Sequence, residues 1–177
     1  MHQRRGCRRP RSRGLRRHYA DHGAEFGYRG SRVVVSSGST SAHNPCTLVT
    51  AAQIEPINGG SGLTSSSTPN GTTCNWTDPT NAVDTAEVAV LPFSGTPTAA
   101  QLQTAVTNAL GGATGGNGTP VSGIGSVALK AIAAVSATYA FAVNNSVVII
   151  AVFSQSNPGS AMDTQVQALA QSVAGQI

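Results

Sequence analysis

Apolar residues along this chain change their spacing from one stretch to the next, and the spacings predict the elements. After Pro97, Leu102, Ala105, Val106, Ala109 and Leu110 recur at helical intervals, which predicts an amphipathic helix capped by Thr98 and stopped at Gly111. A C-terminal helix is predicted from the stripe Met162, Val166, Leu169, Ala170 and Val173, with Ser160 and Asp163 as cap residues. A shorter helix should start at Thr50. Gln53 follows it as in a capping box, and Val49 and Ile54 hold the positions of a hydrophobic staple. Pro56 should stop or kink this helix near Ile57, ahead of the breaker Asn58-Gly59-Gly60.

Alternating and β-branched runs predict strands at Thr73–Thr77 and Thr85–Phe93, joined by the turn residues Asp78-Pro79-Thr80-Asn81. In the second run, Val88 and Val90 fall on one face and Leu91 and Phe93 on the other. Ala137–Val143 and Val147–Phe153 read as a hairpin across Asn144-Asn145-Ser146. Ser61–Thr72 and Gly111–Gly118 read as loops. The predicted order is α-β-β-α-β-β-α. It implies an α+β domain with a mostly antiparallel four-stranded sheet and helices packed over one face. The nearly uncharged stretch 127–153 is broken by Asn144-Asn145-Ser146 and contains Lys130, so core strands suit it better than a membrane-spanning helix.

Charge divides the chain. The net charge of +4 conceals ten arginines between Arg4 and Arg32 that face only Asp21 and Glu25, a local charge of +8. From Val33 onward Lys130 stands against Glu55, Asp78, Asp84, Glu87 and Asp163, a local charge of −4. Residues 1–32 carry too few periodic apolar positions to order themselves and are expected to be a disordered tail. One reading makes this tail a basic arm for nucleic acid, with Arg4, Arg5, Arg8, Arg9, Arg11, Arg13, Arg16 and Arg17 as phosphate contacts. The other makes it an arginine-rich translation of upstream sequence from a misplaced start, since no apolar leader follows the positive charges. Residues 33–44 form a Ser/Thr/Gly linker, and a single domain is expected over 45–177.

The predicted domain lacks the usual catalytic groups. His2, His18, His22 and His43 all precede Asn44, and no arginine follows it, so a serine or cysteine nucleophile has no imidazole base. Lys130 lies four residues after Ser126, not three as in a Ser-x-x-Lys arrangement, and is read as a solvated side chain. Asp78, Asp84 and Glu87 carry no motif of a glycosidase pair and read as a hydrated strand edge. Gly123-Ile124-Gly125-Ser126-Val127-Ala128 matches a dinucleotide fingerprint in form only, because no strand precedes it and no acidic residue follows at the right distance. Two cysteines cannot close a zinc site. No enzyme, cofactor or metal is expected.

Cys7 lies in the tail, whereas Cys46 and Cys74 flank the first part of the domain. They form either a disulfide, which requires an oxidising compartment, or two buried thiols in a cytosolic protein. Asn44-Pro45-Cys46-Thr47-Leu48-Val49-Thr50, Thr73-Cys74-Asn75-Trp76-Thr77 and Val121-Ser122-Gly123-Ile124-Gly125 together resemble a family of small secreted actinobacterial lipoprotein domains of unknown function. That family is also similar to extracellular sensor domains of envelope kinases. The resemblance covers 45–177 and implies an envelope location and a Cys46–Cys74 bridge, with Trp76 either a core anchor beside it or a binding-site tryptophan. The sequence departs from the pattern in lacking the lipid-attachment leader, in Pro56, and in Ser126 where an acidic residue is common. Membrane association would need a lipid anchor absent from this reading frame. The expected function is a non-catalytic envelope module, sensor-like, for a small apolar or lipid-like ligand. The alternative is a module that binds another envelope protein through an exposed sheet edge.

Overall fold

Two antiparallel meanders meet in one sheet. β1 (Thr64–Ser67), β2 (Thr73–Thr77) and β3 (Thr85–Pro92) form the first; β4 (Thr119–Pro120), β5 (Val127–Ile132), β6 (Ser136–Val143) and β7 (Ser146–Phe153) form the second. β7 pairs antiparallel with β3, so the seven-stranded sheet has the order β1-β2-β3-β7-β6-β5-β4. The helices are α1 (Pro45–Leu48), α2 (Ala51–Asn58), α3 (Ala99–Thr114) and α4 (Gly159–Ala174). This computed structural model describes residues 43–115 and 118–177. The arginine-rich tail 1–32 and all of the linker but His43 and Asn44 lie outside the described residues.

The sheet is larger than the four strands expected, for reasons the residues supply. β1 is Thr-Ser-Ser-Ser, exposed throughout, and has no apolar alternation; its partner β2 defines it, pairing Ser65 with Trp76 and Ser67 with Cys74. β5 is covered on both faces, so Ala128 and Leu129 are both buried and its pattern is a run, not an alternation. β4 is only two residues long.

The expectation that all helices cover one face is also corrected. Leu48, Ile54 and Ile57 of the first two helices and the whole predicted stripe of α4 pack with Trp76, Val88, Tyr139, Phe141 and Ile150 on one side of the sheet. Val106 and Leu110 of α3 pack with Leu129, Ala140, Ala142 and Val147 on the other. Topology explains the separation. The chain must travel from β3 to β4 past β7, β6 and β5, about 19 Å at ordinary strand spacing, and that connection carries α3, which lies over β5, β6 and β7. It crosses the face that α1, α2 and α4 leave open.

Local chemistry sets the helix ends. In α3, Gln101 N–H donates to Thr98 Oγ1 and Thr98 N–H donates to Gln101 Oε1 at 2.8 Å, the predicted cap completed in both directions. The helix then runs through Gly111 and Gly112 to Thr114. Gly115, at φ 71°, takes the left-handed cap position that Gly111 was expected to fill. In α2, Thr50 N–H donates to Gln53 Oε1 at 2.9 Å, and the helix ends at Asn58, just beyond Pro56. α4 starts at Gly159 behind Pro158, so Ser160 and Asp163 lie inside the helix and do not cap it. A Cβ at Gly159 would overlap the carbonyls of Ala133 and Ser136. The β6–β7 hairpin turns on Asn144 and Asn145 alone, at φ 43° and 60°, and Ser146 belongs to β7.

Candidate functional site

α3 covers only part of its face of the sheet. It lies over β5, β6 and β7, and the row of small residues Ala105, Asn108, Ala109, Gly112 and Ala113 runs along its side toward β3. Between that row and the sheet lie two openings. One, of about 280 Å³, is lined by Leu91, Pro92, Phe93, Ala105 and Val147; the other, of about 400 Å³, by Glu87, Gly112, Ala113, Ile149, Ala151 and Phe153. Both are bounded by Asn108 and Ala109, so they adjoin along α3 and are treated together as the two halves of a groove. Its floor follows β7 from Val147 to Phe153, about 20 Å at the usual rise per residue.

The groove differs from end to end. The half at Leu91 and Phe93 is apolar. The other half holds Glu87, whose neighbours in register are Asn75 and Ala151. Glu87 forms no hydrogen bond or ion pair with the described residues. Thr138, across the strands from Ala151, is buried with an unpaired hydroxyl.

Asp78 and Asp84 stand at the Glu87 end of the sheet, and the structure corrects their expected place on a hydrated edge. Asp78 is 4% exposed and Asp84 3%. Asp78 accepts from the Thr80 hydroxyl at 2.6 Å, from Thr80 N–H and Asn81 N–H, and from Ser61 N–H through its second oxygen. Asp84 accepts from Asn81 Nδ2 at 2.7 Å and from Gln155 N–H at 2.9 Å. The Thr80 hydroxyl first, then the Thr80 and Ser61 amides, hold Asp78 at a pKa of about 2 against an ordinary 3.8. A folded pKa below the unfolded one gives stability that is complete above the unfolded value and is lost as pH falls through the folded one. The urea midpoint of the wild type should therefore fall between about pH 5 and pH 2, and Asp78→Asn should flatten that slope while lowering the midpoint at neutral pH.

Lys130 is not the solvated side chain expected. On the opposite face of the sheet from the groove, its ammonium lies 2.6 Å from Asp163 of α4, and the Tyr139 hydroxyl donates to the same carboxylate. Burial opposes the charged form of Asp163, but the hydrogen bonds from Lys130 and Tyr139 and the Lys130 charge outweigh it and leave its pKa lowered. Burial, then the hydrogen bond to Asp163 and its charge, push the Tyr139 phenol up. The three side chains fasten α4 to β5 and β6.

Cys46 and Cys74 are joined by a disulfide with Cα atoms 5.1 Å apart. Trp76, two residues along β2 on the same face, is 1% exposed and packs in the core under α1 and α2. It does not reach the groove. Gly123 and Gly125 flank the buried Ile124 at positive φ, and a Cβ at Gly125 would overlap the Ala142 carbonyl, so these glycines serve a tight turn before β5. Arg4, Arg5, Arg8, Arg9, Arg11, Arg13, Arg16 and Arg17 lie outside the described residues. No group of three or more metal-ligating side chains occurs among the described residues, and no helix there is long and apolar enough to cross a membrane. Comparison of the chain with protein-family models, curated proteins and solved structures returns no match.

The groove is not foreseen in the sequence, where Ala105 and Ala109 count in the core stripe of the helix and Gly112 and Ala113 in a loop. A signal was present: Ala105, Asn108, Ala109, Gly112 and Ala113 form a second helical stripe beside Leu102, Val106 and Leu110. Small side chains there leave the space unfilled, but only the sheet partner shows that the space is walled.

Proposed function

We propose that the protein is a non-catalytic, exported cell-envelope module, sensor-like in use, that holds a small apolar or lipid-like ligand in the groove beside α3. The observation that carries this reading is the groove itself, about 20 Å of floor along β7 lined mainly by Leu91, Phe93, Val147, Ile149 and Phe153. The disulfide supports an oxidising compartment, and the resemblance of the Cys46 and Cys74 motifs supports the envelope.

Native mass spectrometry of the full chain purified from its own host, without detergent, is expected to find lipid-like adducts that organic extraction removes. Ala109→Phe places a ring between the two halves of the groove. It should reduce adduct occupancy at least about tenfold while changing stability by under about 1.5 kcal/mol, because Ala109 is only half-buried. A wild-type protein that is consistently empty would sink the reading.

A second reading has its own observation. β1 is an open edge strand without charge or proline, while β4 at the other edge is two residues long and ends in Pro120. A partner envelope protein could add a strand to β1. Crosslinking in intact cells from a photoreactive residue at Ser66 would capture such a partner; under the ligand reading, none is expected there.

A further inference from the structure

We infer that the ligand is an amphiphile with a cationic amine head, seated with its apolar chain at Leu91 and Phe93 and its head at Glu87. This rests on the groove being the ligand site. Two observations give the Glu87 end a negative potential. Glu87 is a carboxylate without a partner among the described residues at the wall of the groove. Gly112 and Ala113, which line the same half, belong to the last turn of α3, where the final carbonyls carry the negative end of the helix dipole.

No cation among the described residues offsets these charges. Lys130, the one lysine or arginine among the described residues, is on the opposite face and paired with Asp163. The apolar end contributes no charge at all. An anionic head, such as a fatty carboxylate, would sit against a like charge without a cation among the described residues to receive it. A cationic head finds an acceptor beside Ile149 and Ala151 in the same half of the groove. The chain then lies along β7 toward Val147, with Asn108 beside its midpoint.

The test is a titration of the full chain, isotopically labelled, with dodecylammonium, dodecyl maltoside and dodecyl sulfate below their micellar concentrations. Binding is read only from the NMR shifts of Ala109, Val147, Ile149 and Phe153, because the arginines of the tail attract dodecyl sulfate elsewhere. Dodecylammonium is expected to bind the groove at least tenfold more tightly than dodecyl sulfate. Glu87→Gln should remove about tenfold of its affinity while leaving dodecyl maltoside unchanged. If all three bind alike, or if Glu87→Gln leaves their order intact, the head-group inference is overturned and the groove stands. If none of them shifts the groove resonances, the groove reading fails and takes this inference with it.

Discussion

Replacing Cys46 or Cys74 by serine is expected to lower stability by about 3 to 4 kcal/mol, a large share of the roughly 5 to 15 kcal/mol available to a domain of this size. The bridge spans 28 positions of sequence. In the chain-entropy account, closing a loop of that length in the unfolded state accounts for the effect. Native packing adds to it, because Cys74 is fully buried between β1 and β3 beneath α1. The loop it closes contains α2 and β1, and β1 has no buried side chain. Urea denaturation of the wild type with and without reductant, beside the single and double serine variants, measures it. The singles, the double and the reduced wild type should agree within about 1 kcal/mol. A reduced protein as stable as the oxidised one would mean that the bridge contributes nothing to the fold.

The elements legible in the sequence are those whose periodicity is set by their own burial. The stripe of α4 was readable because all five of its residues face a single apolar layer. β3 was readable because Val88 and Leu91 meet different cores. β1 and β5 were not, for opposite reasons. β1 has no buried side chain, so nothing local marks it, and β5 is buried on both sides, so its alternation is erased. The placement of α3 on the far face depends on a crossover between meanders, which no local pattern encodes. The same nonlocality hid the groove, whose walls come from β3, α3 and β7. Lys130 illustrates it at the scale of one residue: its partner Asp163 is 33 positions away, and neither side chain looks paired in sequence.

Trp76 separates the fold from the site. Trp76→Ala is expected to cost about 3 to 5 kcal/mol, the range for removing a large buried aromatic side chain. The ring is 1% exposed, and its strand neighbours in register are Ser65 and Ala86, too small to collapse into the space it would leave. Trp76→Phe retains part of the packing and should fold with a smaller loss, about 1 to 3 kcal/mol. Because Trp76 faces α1 and α2 while the groove faces α3, Trp76→Phe should bind dodecylammonium with wild-type affinity once folded. Ala109→Phe should show the reverse, near-native stability with lost binding. Urea midpoints and the groove NMR titration, run on both variants, measure the two effects independently. A Trp76→Phe protein that folds but no longer binds would move the ligand site to the face under α1 and α2, and with it the role of Glu87.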